Sequence, residues 1–458
     1  MEKENRNALF ETTPVPKAFL ALTVPVVLSK IVSLIYNMAD TFFIARTGSA
    51  DLVAGVSICA PVFLLMISLG DLFGLGGSSV MSRLFGQQKD EEGKRVSGFT
   101  FYGAIVTGII VAAVMLLFQT PILHLLGAQG AVFEYASQYY FWIALGAPFI
   151  IVSLIPTNQL RTEGLANAAM IGSMIGSVVN IILDPVFIFG FGMGASGAAI
   201  ATVLGNVATD IALAACIHKK SRKLTIDPRM AKVDLATVAA VLAIGLPSSL
   251  NNLMNSLGTA LLNRNLTPYG ADKVAAMGIA SKVNMLVAMI MIAFAFGAQA
   301  LIGYNYSSGN KERLREVLKF DLLVQMVIAL VGGGILMASA PWMLRLFMDD
   351  SVVVEAGTHM LRRLLLGLPF IGIFLICSTV FMSTGKSLPT LILSLSRQGI
   401  VFAVVLFLLS ATLGYAGVIV AQPAADFASA ILGVLLLRAS KIEGIGKARG
   451  TGGYDVSK

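Results

Sequence analysis

Twelve long apolar stretches, parted by short charged or Gly/Pro-rich breaks, make up most of this 458-residue chain. They fall near 18–45, 52–82, 96–119, 134–158, 165–189, 195–217, 237–264, 274–303, 317–340, 356–383, 389–412 and 416–437. Each is long enough to cross a bilayer as a helix, which takes about 20 residues. Backbone polar groups in lipid must be satisfied within the segment, which leaves the helix as the available structure. Prolines inside the stretches (Pro25, Pro61, Pro148, Pro247, Pro369) are tolerated there as kinks. Hydrophobic types reach 56% and charged types only 13%, against about a quarter charged in a soluble domain. That is too little charge to cover a water-facing surface. A soluble enzyme, a nucleic-acid binder and a disordered chain are excluded, and an all-α polytopic membrane protein is expected.

The positive excess then reads as topology. The formal charge is +8. With the N-terminus in the cytoplasm, 23 Lys and Arg residues fall near inner loops and 4 near outer ones. By the positive-inside rule this places both termini in the cytoplasm of a plasma-membrane protein. Arg161 is counted with the inner loops, and the basic run 219–223 reads as a topogenic loop against anionic headgroups. No role with nucleic acid is expected for it. The N-terminus has no apolar core of a cleavable signal, so the first apolar stretch serves for insertion. Cys59, Cys216 and Cys377 all lie in apolar stretches, without metal-type spacing, and read as small buried hydrophobes.

The chain also repeats. Pro25 and Pro247 are 222 residues apart. Glu134 with GAPFI (146–150) matches Glu355 with GLPFI (367–371), an offset of 221, and GASGAAIAT (194–202) matches GYAGVIVAQ (414–422), an offset of 220. Six crossings per half is an even number, so both halves insert in the same sense. The expected architecture is twelve transmembrane helices as two parallel-repeat six-helix bundles around a central cleft. The divisions are a cytoplasmic N-terminus (1–17), an N-lobe (18–217), a basic linker (218–236), a C-lobe (237–437) and a cytoplasmic tail (438–458). Such a layout suits alternating access with binding between the repeats.

Ionisable groups within membrane helices are rare and point to function. Asp40 and Asp184 each lie about five residues from the outer end of their helices, so both sit roughly 8 Å below the outer surface. Each has a polar residue one turn earlier, Tyr36 and Asn180, and Thr202 and Asn206 reach a similar or greater depth from the sixth helix. Two carboxylates sharing a low-dielectric site can load and release a proton. The same oxygens suit Na⁺. The second half lacks this set: Leu262, Val405 and Gln422 stand at the positions of Asp40, Asp184 and Thr202. Lys30 and Asp71 fall at matching depth near mid-membrane and are expected to form an ion pair. Asp210, Lys282, Arg397 and Asp426 are further intramembrane charges without partners assignable from sequence. Asn251, Asn252 and Asn255 make a polar stripe in the seventh helix, suited to interhelical hydrogen bonds or to a cavity wall. Asn37, Asn206, Asn252 and Asn255 are substrate-cavity candidates, and Met285 and Met289 would offer adaptable apolar wall. His124, His218 and His359 share no catalytic spacing, and the glycines at 70–77 lack the Lys-Ser/Thr of a phosphate loop. Neither an enzyme nor an ATP-driven pump is expected, and no cofactor.

The helix-1 segment from Pro25 to YNMAD (36–40), the NIILDPVFIFG segment (180–190) and GASGAAIAT (194–202) resemble the multidrug and toxic compound extrusion (MATE) transporters, bacterial multidrug type, over about 15–440. The resemblance implies two lobes around a cleft and export of amphipathic, often cationic small molecules by antiport against H⁺ or Na⁺. It implies a cation site at Tyr36, Asp40, Asn180, Asp184 and Thr202, and a helix-bending role for Pro25. A monomer among membrane lipids is expected. Where some members keep acidic residues in the second lobe, this chain has Asn, Ala, Cys and Ser types, so coupling is expected in the first. A lipid-linked precursor flippase of related fold is the alternative. It would carry a strongly basic cavity, to which only Arg264, Lys282, Arg362, Arg363 and Arg397 could contribute here.

Overall fold

The computed structural model describes residues 2–347, 350–440 and 442, and every regular element among them is helical. Eleven helices are long and apolar enough to span: α1 (Val15–Ala45), α2 (Ala50–Gly86), α3 (Asp90–Leu117), α4 (Gly130–Thr162), α5 (Ala166–Gly190), α6 (Gly194–Lys220), α7 (Leu235–Tyr269), α8 (Asp272–Ser307), α9 (Lys311–Arg345), α11 (Ser387–Leu413) and α12 (Tyr415–Ala439). The twelfth, α10, is a bent pair, Ser351–Leu365 and Leu368–Thr384, meeting at 43°. Pro369 stands in the first turn after the bend, where its missing N–H and fixed φ are tolerated. Of the expected tail 438–458, only 438–440 and 442 fall within the described residues.

The packing repeats as the sequence does. In the first bundle α1 packs on α5, α2 on α3 and α4, α3 on α4, and α6 on α4 and α5. In the second, α7 packs on α11, α8 on α9 and α10, α9 on α10, and α12 on α10 and α11. Each pairing recurs six helices later, so the two bundles are built to one plan.

The bundles meet through α1, α2, α7, α8 and α10, chiefly in the halves nearest the chain termini. Small residues make the close approach possible there. A Cβ added at Gly245 would lie 1.9 Å from the Leu72 carbonyl oxygen, and one at Gly86 would lie 2.4 Å from that of Tyr304. Ser79 Oγ donates across the seam to the Met382 carbonyl. Further along, the bundles part. No residue of α1 between Ser29 and Ile44 is buried, although Phe19, Leu22 and Val26 are. The cleft therefore opens at the end remote from the termini.

Two segments expected as plain inner loops do more. Residues Glu2–Glu11 form a helix whose end lies across the closed seam. The Arg313 guanidinium donates to the Phe10 and Thr13 carbonyls at 2.6 Å, and Tyr304 OH donates to Glu11. The linker after α6 folds under the first bundle, where Tyr102 OH donates to the Ile226 carbonyl at 2.7 Å. Lys223 is thus not free for lipid headgroups. It is 7% exposed, with Nζ 2.9 Å from Asp90 and 5.1 Å from the Phe85 ring centroid. An ammonium beside a carboxylate and an aromatic face is better satisfied inside than its charge alone suggests.

Candidate transport site

One face of α1 carries a polar ladder at helical spacing. Ser29, Ser33 and Asn37 each donate to the carbonyl four residues back, at 2.8, 2.9 and 2.6 Å. Such back-bonding lets polar side chains ride in a membrane helix, and it favours bending. The first bond ends on Pro25, which is buried inside an otherwise continuous helix. The ladder faces a cavity of about 360 Å³ walled by α1, α2, α4, α5 and α6. Met289 of α8 is the second bundle's only contribution to the wall. The cavity thus lies within the first bundle rather than midway between the two.

The expected cation-site residues come together at this wall. Tyr36, Asn37, Asn180, Thr202 and Asn206 line the cavity. Asp184 is 0% exposed, with Oδ1 3.5 Å from Asn180 Nδ2, which also lies 3.5 Å from Thr202 Oγ1. Asp40 acts electrostatically on Asp184, and both act on Tyr36. Asp40 Oδ1, Asn180 Oδ1 and Asp184 Oδ2 are buried and accept no hydrogen bond. Unsatisfied oxygens of this kind call for a proton or a cation. Tyr139 of α4, also buried, feels both carboxylates, and sequence reasoning missed it. It lies in the fourth stretch, five residues after Glu134, with no polar spacing to mark it. Among the described residues no group of three or more His, Cys, Asp or Glu could hold a metal ion.

Other expected site residues scatter. Lys30 lines the cavity, and it and Asp71 act on one another electrostatically without forming an ion pair within 4.0 Å. Asp71 instead takes Asn252 Nδ2 of α7 at 3.4 Å, a contact across the seam. Arg161 corrects the loop assignment. It lies in the last turn of α4, 8% exposed, and reaches into the cavity beside Lys30. Its helix runs to the inner face, where Glu163 accepts from the Arg222 backbone N–H at 2.9 Å, and Arg161 belongs to that last turn. Asn252 and Asn255 line a groove of about 490 Å³ with Leu64 of α2, in the cleft between the bundles. Met285 is 58% exposed and does not line the cavity that Met289 lines.

A single family model, MatE, matches the chain twice, over residues 25–186 and 247–425. The chain belongs to the MatE family. The two matches begin at Pro25 and Pro247, the positions that mark the internal repeat. The multidrug export protein MepA of Staphylococcus aureus is 31% identical over 95% of this chain and 96% of its own length. That of Staphylococcus saprophyticus is 28% identical over the same shares. An outward-facing MATE family transporter of the MOP superfamily superposes with a TM-score of 0.89 at 28% identity, covering 96% of this chain and 98% of that one. The protein is therefore a multi-pass membrane transporter, not an enzyme.

The second bundle of this MatE transporter holds its charges differently. Arg397, at a break in α11, donates through Nε to Asp426 Oδ1 of α12 at 2.8 Å, and its guanidinium lies 5.7 Å from the Phe374 ring centroid. Gln422 Nε2 donates to the same oxygen at 3.1 Å. Gly399 in that break has φ −109° and ψ −108°, outside the helical range. Asp321 of α9 is fully buried, one turn from Gln325, whose amide donates to the Met291 carbonyl at 3.0 Å. Its i,i+4 spacing to Gln325 in an apolar helix was the available signal for it. Asp210 of α6 keeps both carboxylate oxygens buried without a hydrogen-bond partner.

Proposed function

We propose that this transporter exports amphipathic small molecules, cationic ones included, from the cytoplasm of a bacterium, by antiport against H⁺ or Na⁺. The observation that carries the reading is the convergence of Asp40 and Asp184 beside Asn180 and Thr202, two residues that line the first-bundle cavity, with three buried oxygens unpartnered among the described residues. A cation arriving there satisfies those oxygens and reshapes the wall that a drug would contact. The S. aureus and S. saprophyticus relatives named as multidrug export proteins support export of more than one drug. Both termini lie in the cytoplasm and the cleft opens outward, as the positive-inside count supports. In that state the seam closed by Gly245, Gly86 and Ser79 is the inner gate.

Expression in a drug-sensitive bacterium should raise tolerance to ethidium, and Asp40→Asn or Asp184→Asn should abolish the gain at unchanged expression. Normal efflux by the double variant would overturn the coupling assignment. Proteoliposomes given a pH gradient or a sodium gradient separately then identify the driving ion.

A further inference from the structure

We propose that the inner end of the first-bundle cavity is an oxyanion subsite, formed by Lys30 and Arg161, that takes the carboxylate of an amphipathic substrate. The inference rests on the export reading and adds a ligand class to it. Lys30 and Arg161 are the charged residues among those that line the cavity; no carboxylate lines it. Neither cation is used up by the fold. Arg161 donates from Nη1 to Asn158 Oδ1 at 3.2 Å, while its Nε is buried and donates to no described group. The Lys30 ammonium makes no hydrogen bond or ion pair with another described residue.

The neighbouring hydroxyls cannot take over this role. Ser29, Ser33, Thr157 and Ser173 each donate to a backbone carbonyl of their own helix. The uncommitted donors at this end are therefore the two cations. Asp71 acts on both, but it offsets one positive charge and leaves the other, and its Oδ2 accepts from Asn252. Asp40 follows Lys30 by ten residues on α1, roughly 15 Å along the axis, so it serves the far end of the cavity. A cation held in a membrane interior calls for a counter-charge, and a guanidinium with a free edge suits a carboxylate. Phe63, Ile67, Leu154 and Met289 supply apolar wall for the body of such a molecule. The space, about 360 Å³, is within the range of small-molecule pockets.

The test is equilibrium binding to the full chain in phosphatidylcholine nanodiscs. The probes are a dansyl-labelled medium-chain fatty acid and its methyl ester, which keeps the body and removes the charge. The acid should bind at least about tenfold tighter than the ester. Lys30→Gln and Arg161→Gln should each remove most of that preference and leave ester binding unchanged, and Arg161→Lys should restore part of it. Because Arg161 is buried, thermal unfolding accompanies each variant, and Lys30→Gln alone decides the matter if the arginine variants do not fold. Equal binding of acid and ester by the wild type, or a Lys30→Gln loss shared by both probes, overturns the subsite. An acid preference that vanishes in phosphatidylglycerol nanodiscs assigns the site to lipid headgroups and overturns the substrate reading. Ethidium transport is measured in parallel. If it is intact while the acid shows no preference, only the subsite fails; if it is absent, the export reading fails.

Discussion

In the second bundle Arg397 of α11 reaches across to Asp426 of α12, and Gln422 completes the contact. At the repeat offsets of 221 and 220, the corresponding residues of the first bundle are Gly176, Asn206 and Thr202, and all three line the cavity. One scaffold thus has two uses. Where α11 carries an arginine, the space between α11 and α12 is filled and the carboxylate is paired within the protein. Where α5 carries a glycine, α6 packs close against it with no charged group between them, and the carboxylates nearby, Asp40 and Asp184, keep oxygens with no partner among the described residues. A buried charge satisfied by its own fold is structure. A buried charge left unsatisfied beside a cavity is available to a ligand, whereas Asp321 of the second bundle, equally unpartnered among the described residues, is sealed in packing.

The sharpest way to break this contrast is to unpair the second bundle. Arg397→Ala strands Asp426 in a buried position and should destabilise the protein by about 3–5 kcal/mol. Arg397→Leu with Asp426→Leu should lie near wild type, with transport retained. Thermal and denaturant unfolding in detergent, beside dye efflux, check both. If the double variant loses transport while folding normally, the second bundle carries function and the contrast fails.

A smaller effect is expected from forcing apart two helices that wall the first-bundle cavity. The methyl of Gly176→Ala would lie 1.9 Å from Thr209 Oγ1 and 2.4 Å from the Gly205 carbonyl oxygen. The backbone oxygen cannot turn aside, so α5 and α6 must move apart. The variant should lose about 1–3 kcal/mol of stability and bind dyes more weakly, as unfolding and fluorescence titration will read. Unchanged binding would mean that ligand does not depend on the α5–α6 wall.

The smallest effect is expected at Asp321, sealed among α8, α9 and α10 away from the cavity. Asp321→Asn removes a buried carboxylate whose oxygens have no hydrogen-bond partner among the described residues, so it should not lower stability and should leave efflux near wild type. A loss comparable to that of Asp184→Asn would move part of the coupling into the second bundle.

Much of this was readable along the chain, for definite reasons. The spans were legible because lipid forbids alternatives to a self-satisfied helix, and each predicted stretch overlaps a helix of the structure. The repeat was legible because Pro25 and Pro247, with the small-residue runs of the sixth and twelfth helices, stay in register. The gathering of Asp184, Asn180 and Thr202 followed from counting residues inward from the helix ends. Counting failed where a helix runs past its apolar stretch. Arg161 looked like a loop cation because it follows an apolar stretch, yet the helix runs on to Thr162 and the side chain is buried against the cavity. The Lys30–Asp71 pair had the right depth, but the rotation of α1 and α2 leaves Asp71 facing Asn252.

The sequence by itself determined that the chain crosses a membrane twelve times, that its halves are copies, and which few charges lie inside, because the bilayer makes hydropathy and rare charges decisive. Only the tertiary structure decided which of those charges are paired with the protein and which face a cavity. That choice depends on how neighbouring helices are rotated and how closely they approach, and residues far apart in the chain set both.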